Sequence, residues 1–378
     1  MKRSTERILT THTGSLPRPD DLLAALEARP ASNERQFAAI LTRAVADIVR
    51  RQIEVGVDIV NDGEMGKPSY ATYVKDRLSG FDGEAAPFAI ADFADYPEYG
   101  ERFMSQGAML KLARPACTGP VKCKDASAVQ TDIANLKAAV AESHVPEAFM
   151  SAASPGVISI FLANHYYKTH EDYLAALAEA MRPEYQAITD AGFILQIDCP
   201  DLAMGRHIQF PDASLAEFRK NIAVHIESLN HALAGISAER TRIHLCWGNY
   251  EGPHHRDVPL RDIVDVVFRA NVGAISYEAS NPRHEHEWAV FEQVKLPAGK
   301  VLIPGVIDSV NNFIEHPDLV AQRIGNVARL VGPENVIAGT DCGFATVAGY
   351  SAVEPKIAWA KFQSLSEGAR IASRRLFQ

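Results

Sequence analysis

The feature that most constrains this chain is a rhythm. Short apolar runs rich in β-branched residues recur along it, each closing on a polar residue or a Gly/Pro turn. The runs are Arg7–Thr13, Val57–Asp62, Ala148–Ala152, Phe193–Asp198, Arg242–Cys246, Ala274–Glu278, Val301–Ile307 and Val336–Asp341. Near-continuous hydrophobicity of this kind marks strands covered on both faces. Longer amphipathic stretches follow most of them. Glu34–Val55 places Phe37, Ile40, Leu41, Ala44, Ile48 and Ile53 on a helical period. Asp172–Ala191, Ser214–Ala234, Leu260–Asn271, Pro317–Leu330 and Glu354–Ser373 read as helices in the same way, and Glu285–Lys295 as a shorter one.

Strand–helix alternation predicts a parallel sheet with right-handed crossovers. Eight such units predict an α/β fold of the (β/α)8 TIM-barrel type. The rival, an open doubly wound sheet, would carry a Gly-rich phosphate turn after its first strand. The chain instead reads Thr13-Gly14-Ser15-Leu16-Pro17 there. With no internal repeat, residues 1–378 read as a single domain. One segment breaks the rhythm. Residues 81–134, between the second and third strands, are too many for a simple crossover and read as an insert. Within it, Arg114–Cys123 has the turn signals of a hairpin.

A formal charge of -9 argues against a nucleic-acid partner. No run reaches the roughly 18 apolar residues of a membrane span, and no apolar signal segment follows the charged start, so the expected compartment is the cytoplasm. Five cysteines on a long chain suit reduced thiols or metal ligands better than disulfides.

In barrels the active site lies at the C-terminal ends of the strands. Those ends carry Ser15, Glu64, Ser154, Asp198, His244, Cys246, Glu278, Asp308, Asp341 and Cys342. His244 and Cys246 are two apart, so on a strand they point to the same side. Cys342 and Glu278 reach the same mouth from two other strands, and two sulfurs, one nitrogen and one oxygen make a zinc-like set. Two thiolates and a carboxylate leave such a site anionic. A hydrolase wants an electron-poor metal with neutral ligands; a sulfur-rich site instead takes a substrate thiol as thiolate and keeps it nucleophilic. The expected chemistry is attack of a thiol sulfur on a carbon electrophile, with small molecules as partners.

The motifs Thr13-Gly14-Ser15-Leu16-Pro17, Asp62-Gly63-Glu64, Gln196-Ile197-Asp198, His244-Leu245-Cys246, Ser276-Tyr277-Glu278, Pro304-Gly305-Val306-Ile307-Asp308 and Asp341-Cys342-Gly343 occur in that order. In this the chain resembles the catalytic C-terminal barrel of cobalamin-independent methionine synthase, and the short relatives of that barrel, including epoxyalkane:coenzyme M transferases. The resemblance implies Zn2+ on His244, Cys246, Glu278 and Cys342, and homocysteine held by Glu64 and Asp198 through its amino group and by Ser15 through its carboxylate. It implies methyl transfer from methyltetrahydrofolate or another methyl donor to homocysteine; alkyl transfer from an epoxide to a thiol such as coenzyme M is the alternative, and a zinc barrel hydrolase a third. Two departures fall on the donor side. After Asp308 there is no His until His316, and Ser159-Ile160-Phe161-Leu162 offers no Trp where the family stacks one on the pterin.

Asp308, His254 and His255 are the candidates for acid–base work on the leaving group. A polar-loop role competes for the two histidines. His284 and His286 read as a solvated surface, as do Lys67 and Tyr70, with contact to an anionic cosubstrate as the alternative for the latter pair.

Overall fold

The computed structural model describes residues 1–28, 33–84, 89–105, 114–141 and 143–377. In chain order the elements begin β1 (Leu9–Thr10), α1 (Asp20–Glu27), α2 (Glu34–Glu54), β2 (Ile59–Val60), α3 (Val74–Arg77), β3 (Phe81–Asp82), α4 (Ala91–Asp95), α5 (Pro97–Ser105), β4 (Ala116–Cys117) and α6 (Ser127–Val140). They continue β5 (Glu147–Ala153), α7 (Pro155–Phe161), α8 (His170–Asp190), β6 (Ile194–Asp198), α9 (Gly205–Ile208), α10 (Leu215–Ala232) and β7 (Thr241–Leu245). The last are α11 (Val264–Val267), β8 (Ala274–Tyr277), β9 (Val301–Pro304), α12 (Pro317–Val331), β10 (Ile337–Ala338) and α13 (Pro355–Leu376).

The result is an α/β fold built on a curled parallel sheet. Six strands pair in the order β2-β5-β6-β7-β8-β9, and β1 pairs with β10. Parallel bridges Leu302↔Val336 and Gly305↔Gly339 tie β9 to the β10 segment. At the other edge the Asp58 N–H donates to the Thr10 carbonyl at 3.2 Å. Leu9, Ile59, Phe149, Ile194, Ala274, Val301, Ile303 and Ile337, drawn from seven strands, form one buried apolar cluster. A flat sheet could not bring both edges into one cluster. The far larger second cluster lies between strands and helices, where the predicted apolar helix faces point. Long helices begin on side-chain caps: Thr169 accepts from the Asp172 N–H before α8, and Ser214 with Glu217 forms a capping box before α10.

Two local expectations are corrected. Arg114–Cys123 does not fold back on itself as a hairpin. Ala116–Cys117 pairs antiparallel with Phe81–Asp82, and Cys123 bridges Leu78. Gly80 (φ +90°) permits this: a Cβ there would stand 2.6 Å from the Gly119 carbonyl oxygen. Residues 85–88 and 106–113 of the predicted insert lie outside the described residues. Nor is Leu260–Asn271 one helix; it is a 3-10 turn, Leu260–Asp262, followed by the single turn of α11. No described helix is long and apolar enough to cross a membrane.

Candidate functional site

The floor of the site is a polar ladder above the apolar cluster. Arg242, fully buried in β7, stacks over Phe149 at 3.7 Å and donates to Gln196 Oε1 (2.9 Å), Thr11 Oγ1 (3.1 Å) and the His12 carbonyl (3.0 Å). Burial pushes the guanidinium down to about 9. Because Gln196 accepts from Arg242 through its oxygen, its amide nitrogen is fixed as donor to Asp198 Oδ1 at 2.9 Å. Arg242 therefore orients Asp198 without touching it.

Asp198 and Glu64 line the same pocket, with Ser15, Tyr70, His244, Cys246 and Cys342 among its other walls and about 360 Å³ of space measured out to solvent. Burial, and then the neighbouring Glu64 charge, push the Asp198 carboxyl well above the usual carboxylate range. Glu64 Oε1 accepts from Ser151 Oγ at 2.7 Å, while the buried Oε2 has no partner among the described residues. Glu64 sits in the left-handed region at φ +55°, a conformation costly for a residue with a Cβ. It is held there by the Arg18 guanidinium on its carbonyl (2.8 Å) and by Asp62 Oδ1 on its N–H (3.0 Å). Gly14 makes room for it: a Cβ at residue 14 would meet Glu64 Oε1 at 2.5 Å.

His244 and Cys246 leave the end of β7 on one side, as their spacing predicts, and Cys342 follows β10. Their ligand atoms all lie within 4.8 Å of one another, and the two Sγ atoms are 3.8 Å apart. The His244 ring faces Ser276 Oγ through Nδ1 at 3.3 Å; the buried Nε2 has no partner among the described residues. Burial pushes His244 down to about 3, so the ring is neutral at pH 7, the form that binds metal. Two sulfurs and an orphaned imidazole nitrogen converging in a buried space fit a thiophilic ion.

Glu278 stands beside this trio rather than within it. Its Oε1 accepts the Trp247 N–H at 2.7 Å, and its Oε2 accepts from Asn281 at 2.8 Å. Asp341 fixes that turn by taking the N–H groups of Ala279 (2.8 Å), Ser280 (3.0 Å) and Asn281 (2.9 Å). Ser15 lies against Gly343, where a Cβ would stand 2.0 Å from its Oγ.

A second, wider cleft adjoins the first and shares Asn249 with it. It spans about 1200 Å³ out to solvent and is lined by Glu278, Asp308, His254, Arg283 and Phe313, among others. Asp308 is buried, and its Oδ1 accepts the Val310 N–H at 2.7 Å. His254 is bound through Nδ1 to Asp257 (2.8 Å) and through Nε2 to the Tyr250 carbonyl (2.9 Å). His255 turns away to Asp95 (2.7 Å) and lines neither cleft.

Three residues expected at the surface are not there. His284 is buried between Asp257 (3.0 Å) and Glu287 (2.9 Å), stacked on Trp247; only His286 is exposed. Lys67 is buried, with its ammonium on the Ser151 carbonyl at 2.5 Å, and Tyr70 lines the first pocket. Asn249 and Thr346, also in that wall, carry no signal that sequence reasoning could have used.

The family model described as "Cobalamin-independent synthase, Catalytic domain" matches residues 156–359, more than half of the chain. Among curated proteins the chain is 24% identical to the methionine synthase of Sulfolobus acidocaldarius over 372 residues, covering 97% of this chain and 93% of that one. It is 24% identical to the methionine synthase of Thermococcus kodakarensis over 373 residues, covering 97% and 94%. Among solved structures, a B12-independent methionine synthase from Shewanella sp. W3-18-1, in complex with selenomethionine, has the same fold. Its TM-score is 0.73 at 20% identity, over 98% of this chain and 99% of that one. The chain belongs to the family of the cobalamin-independent synthase catalytic domain.

Proposed function

We propose that this protein is a zinc-dependent thiol S-methyltransferase that converts homocysteine to methionine, in one domain whose curled sheet closes as a (β/α)8 barrel. The observation that carries the reading is the meeting of His244, Cys246 and Cys342 beside two buried carboxylates, Glu64 and Asp198, on one pocket. The methionine synthases named above support the choice of reaction.

His244, Cys246 and Cys342 would hold the ion, with Glu278 as the fourth ligand. A bound zinc ion supplies Lewis acidity that lowers the pKa of a substrate thiol while the anionic ligand set keeps the sulfur nucleophilic. The remaining work belongs to the chain. Asp198 and Glu64 repel one another when both are ionised, and an ammonium group between them removes that cost. That favours an amino-acid thiol and disfavours a sulfonate thiol such as coenzyme M. Ser15, packed on Gly343, bounds the end where the substrate carboxylate lies. The wide cleft receives the methyl donor, with Asp308 and His254 on its wall as the groups that handle the leaving group's proton. His255, bonded to Asp95 outside the cleft, has no part in this step. Of the expected insert, α4 and α5 support the wide cleft, with Phe93 and Phe103 against the Tyr250 ring and Asp92 accepting from its hydroxyl. The five free cysteines suit reducing surroundings and support a cytoplasmic location.

The test is a panel of thiols against zinc-loaded protein, with methyltetrahydrofolate mono- and polyglutamates, other methyl donors and epoxides. Methionine should form with homocysteine and one of the methyl donors. Failure of homocysteine with every donor would refute the reading.

A further inference from the structure

A second cluster of ligating side chains lies apart from the thiol pocket. Asp92 in α4, His207 in α9 and Asp257 in the loop after β7 bring one ligand atom each within 4.8 Å of the others, and all three residues are buried. Buried histidines and carboxylates in contact normally saturate one another with hydrogen bonds. This set does not. His207 Nδ1 lies 3.1 Å from Asp257 Oδ1. Yet both His207 nitrogens and that oxygen lack a partner of hydrogen-bonding geometry among the described residues.

The other atoms of the cluster are committed. Asp257 Oδ2 accepts from His254 Nδ1 (2.8 Å) and His284 Nε2 (3.0 Å). Asp92 Oδ2 accepts from Tyr250 OH (2.8 Å), and its Oδ1 takes the Arg256 N–H (3.2 Å) with His255 Nδ1 at 3.4 Å. The carboxylates are thus oriented from outside, as metal ligands are by their outer partners, while Asp257 Oδ1 faces His207 Nδ1 at 3.1 Å and the buried His207 Nε2 has no partner among the described residues.

We propose that Asp92, His207 and Asp257 form a second divalent-cation site, separate from the thiol pocket. Two carboxylates and an imidazole are a donor set that suits a divalent cation. Oxygen and nitrogen donors without sulfur suit Zn2+, Co2+ or Mn2+ and disfavour a strictly thiophilic ion such as Cu+. Small side-chain rotations bring atoms this close onto one ion at about 2.0–2.2 Å. The site joins three segments distant in sequence. One is the loop whose Gly248–His254 stretch lines the wide cleft, so the ion clamps α4 and α9 against that wall. The inference does not depend on the reaction proposed above.

Cobalt titration of the chelator-treated full chain tests it. Cobalt on thiolates gives an intense near-ultraviolet charge-transfer band, whereas cobalt on oxygen and nitrogen gives only weak visible bands. Wild type should retain two ions per chain by elemental analysis, one with the intense band. The Cys246→Ser, Cys342→Ser double variant should retain one ion and lose the band. His207→Ala should retain one ion and keep the band at full strength. That variant decides the matter even where the double variant does not fold, because its intact band reports an intact thiol pocket. Wild type holding one ion with full charge-transfer intensity, or His207→Ala holding as many ions as wild type, overturns the proposal. Absence of the band in wild type with one ion lost in His207→Ala would fault the thiol-site reading and leave this one standing.

Discussion

The Sγ atoms of Cys246 and Cys342 lie 3.8 Å apart, although 96 positions separate the residues in the chain. No disulfide joins them, and both are buried at the ends of parallel strands beside His244 Nε2, which has no partner among the described residues. Cys342→Ser removes one sulfur and leaves the volume nearly unchanged. It should lower retained zinc from one ion at this pocket to well below half, and methyl transfer should fall in proportion, with the circular dichroism spectrum unchanged. Elemental analysis and a methionine assay on the same preparation check this; full activity in the variant contradicts the ligand assignment.

Glu64→Gln keeps the shape of the side chain and removes its charge. A hydrogen bond to a charged group contributes about 1.5–3 kcal/mol, so KM for homocysteine should rise by roughly 10- to 100-fold. A thiol of the same length lacking the amino group should be used equally poorly by both proteins. Steady-state kinetics with the two thiols separates loss of ammonium binding from general damage to the pocket.

Phe313 is 82% exposed on the rim of the wide cleft. A large apolar ring left in water at a cleft edge has little structural use, so Phe313→Ala should change the melting temperature negligibly. An aromatic contact is worth about 0.5–1.5 kcal/mol, so KM for a donor with a flat ring should rise roughly 2- to 10-fold. KM for the thiol should stay fixed, and a rise in both would contradict the assignment of the two clefts.

Arg77 is clasped between Asp132 (2.6 Å) and Glu184 (3.0 Å) over the Tyr73 ring. Burial alone would push the Glu184 carboxyl up. The charges of Arg77 and Lys67, with hydrogen bonds from Tyr73 and Arg77, more than offset it and leave the carboxyl below its ordinary value near 4.5. A carboxylate with a depressed folded pKa stabilises the fold fully above its unfolded value and loses that contribution as pH falls through the folded one. Glu184→Gln should therefore destabilise the protein by on the order of 3 kcal/mol at pH 7. Its stability should also fall less steeply than wild type's below about pH 4.5. Denaturant melts at pH 7 and pH 4 measure both.

The sequence carried the strand ends and missed much of what surrounds them. His244-x-Cys246, Glu278 and Cys342 were legible because each closes an apolar run, and strand periodicity alone sends residues 244 and 246 the same way. Strand bounds were less so. Arg7–Thr13 reads as seven residues of strand, but only Leu9–Thr10 pairs regularly: Thr11 still donates its N–H to the Ala338 carbonyl, and the Thr13 N–H goes to the Thr340 hydroxyl instead of a carbonyl. Lys67 and His284 read as surface because burial of a charged side chain depends on partners that only the tertiary fold supplies: the Ser151 carbonyl for one, Asp257 and Glu287 for the other. His207 and Asp92 had no signal at all. Each sits in a helix of four or five residues, too short for periodicity, and meets Asp257 only through the packing of α4 and α9.

The central claim is that two sulfurs and one imidazole hold an ion whose task is to receive a third sulfur from substrate. Zinc-edge X-ray absorption on the loaded protein, before and after addition of homocysteine, addresses it directly. The account predicts two sulfur scatterers on zinc at rest and three with homocysteine present. A shell with no sulfur at rest, or one unaltered by saturating homocysteine, would contradict it.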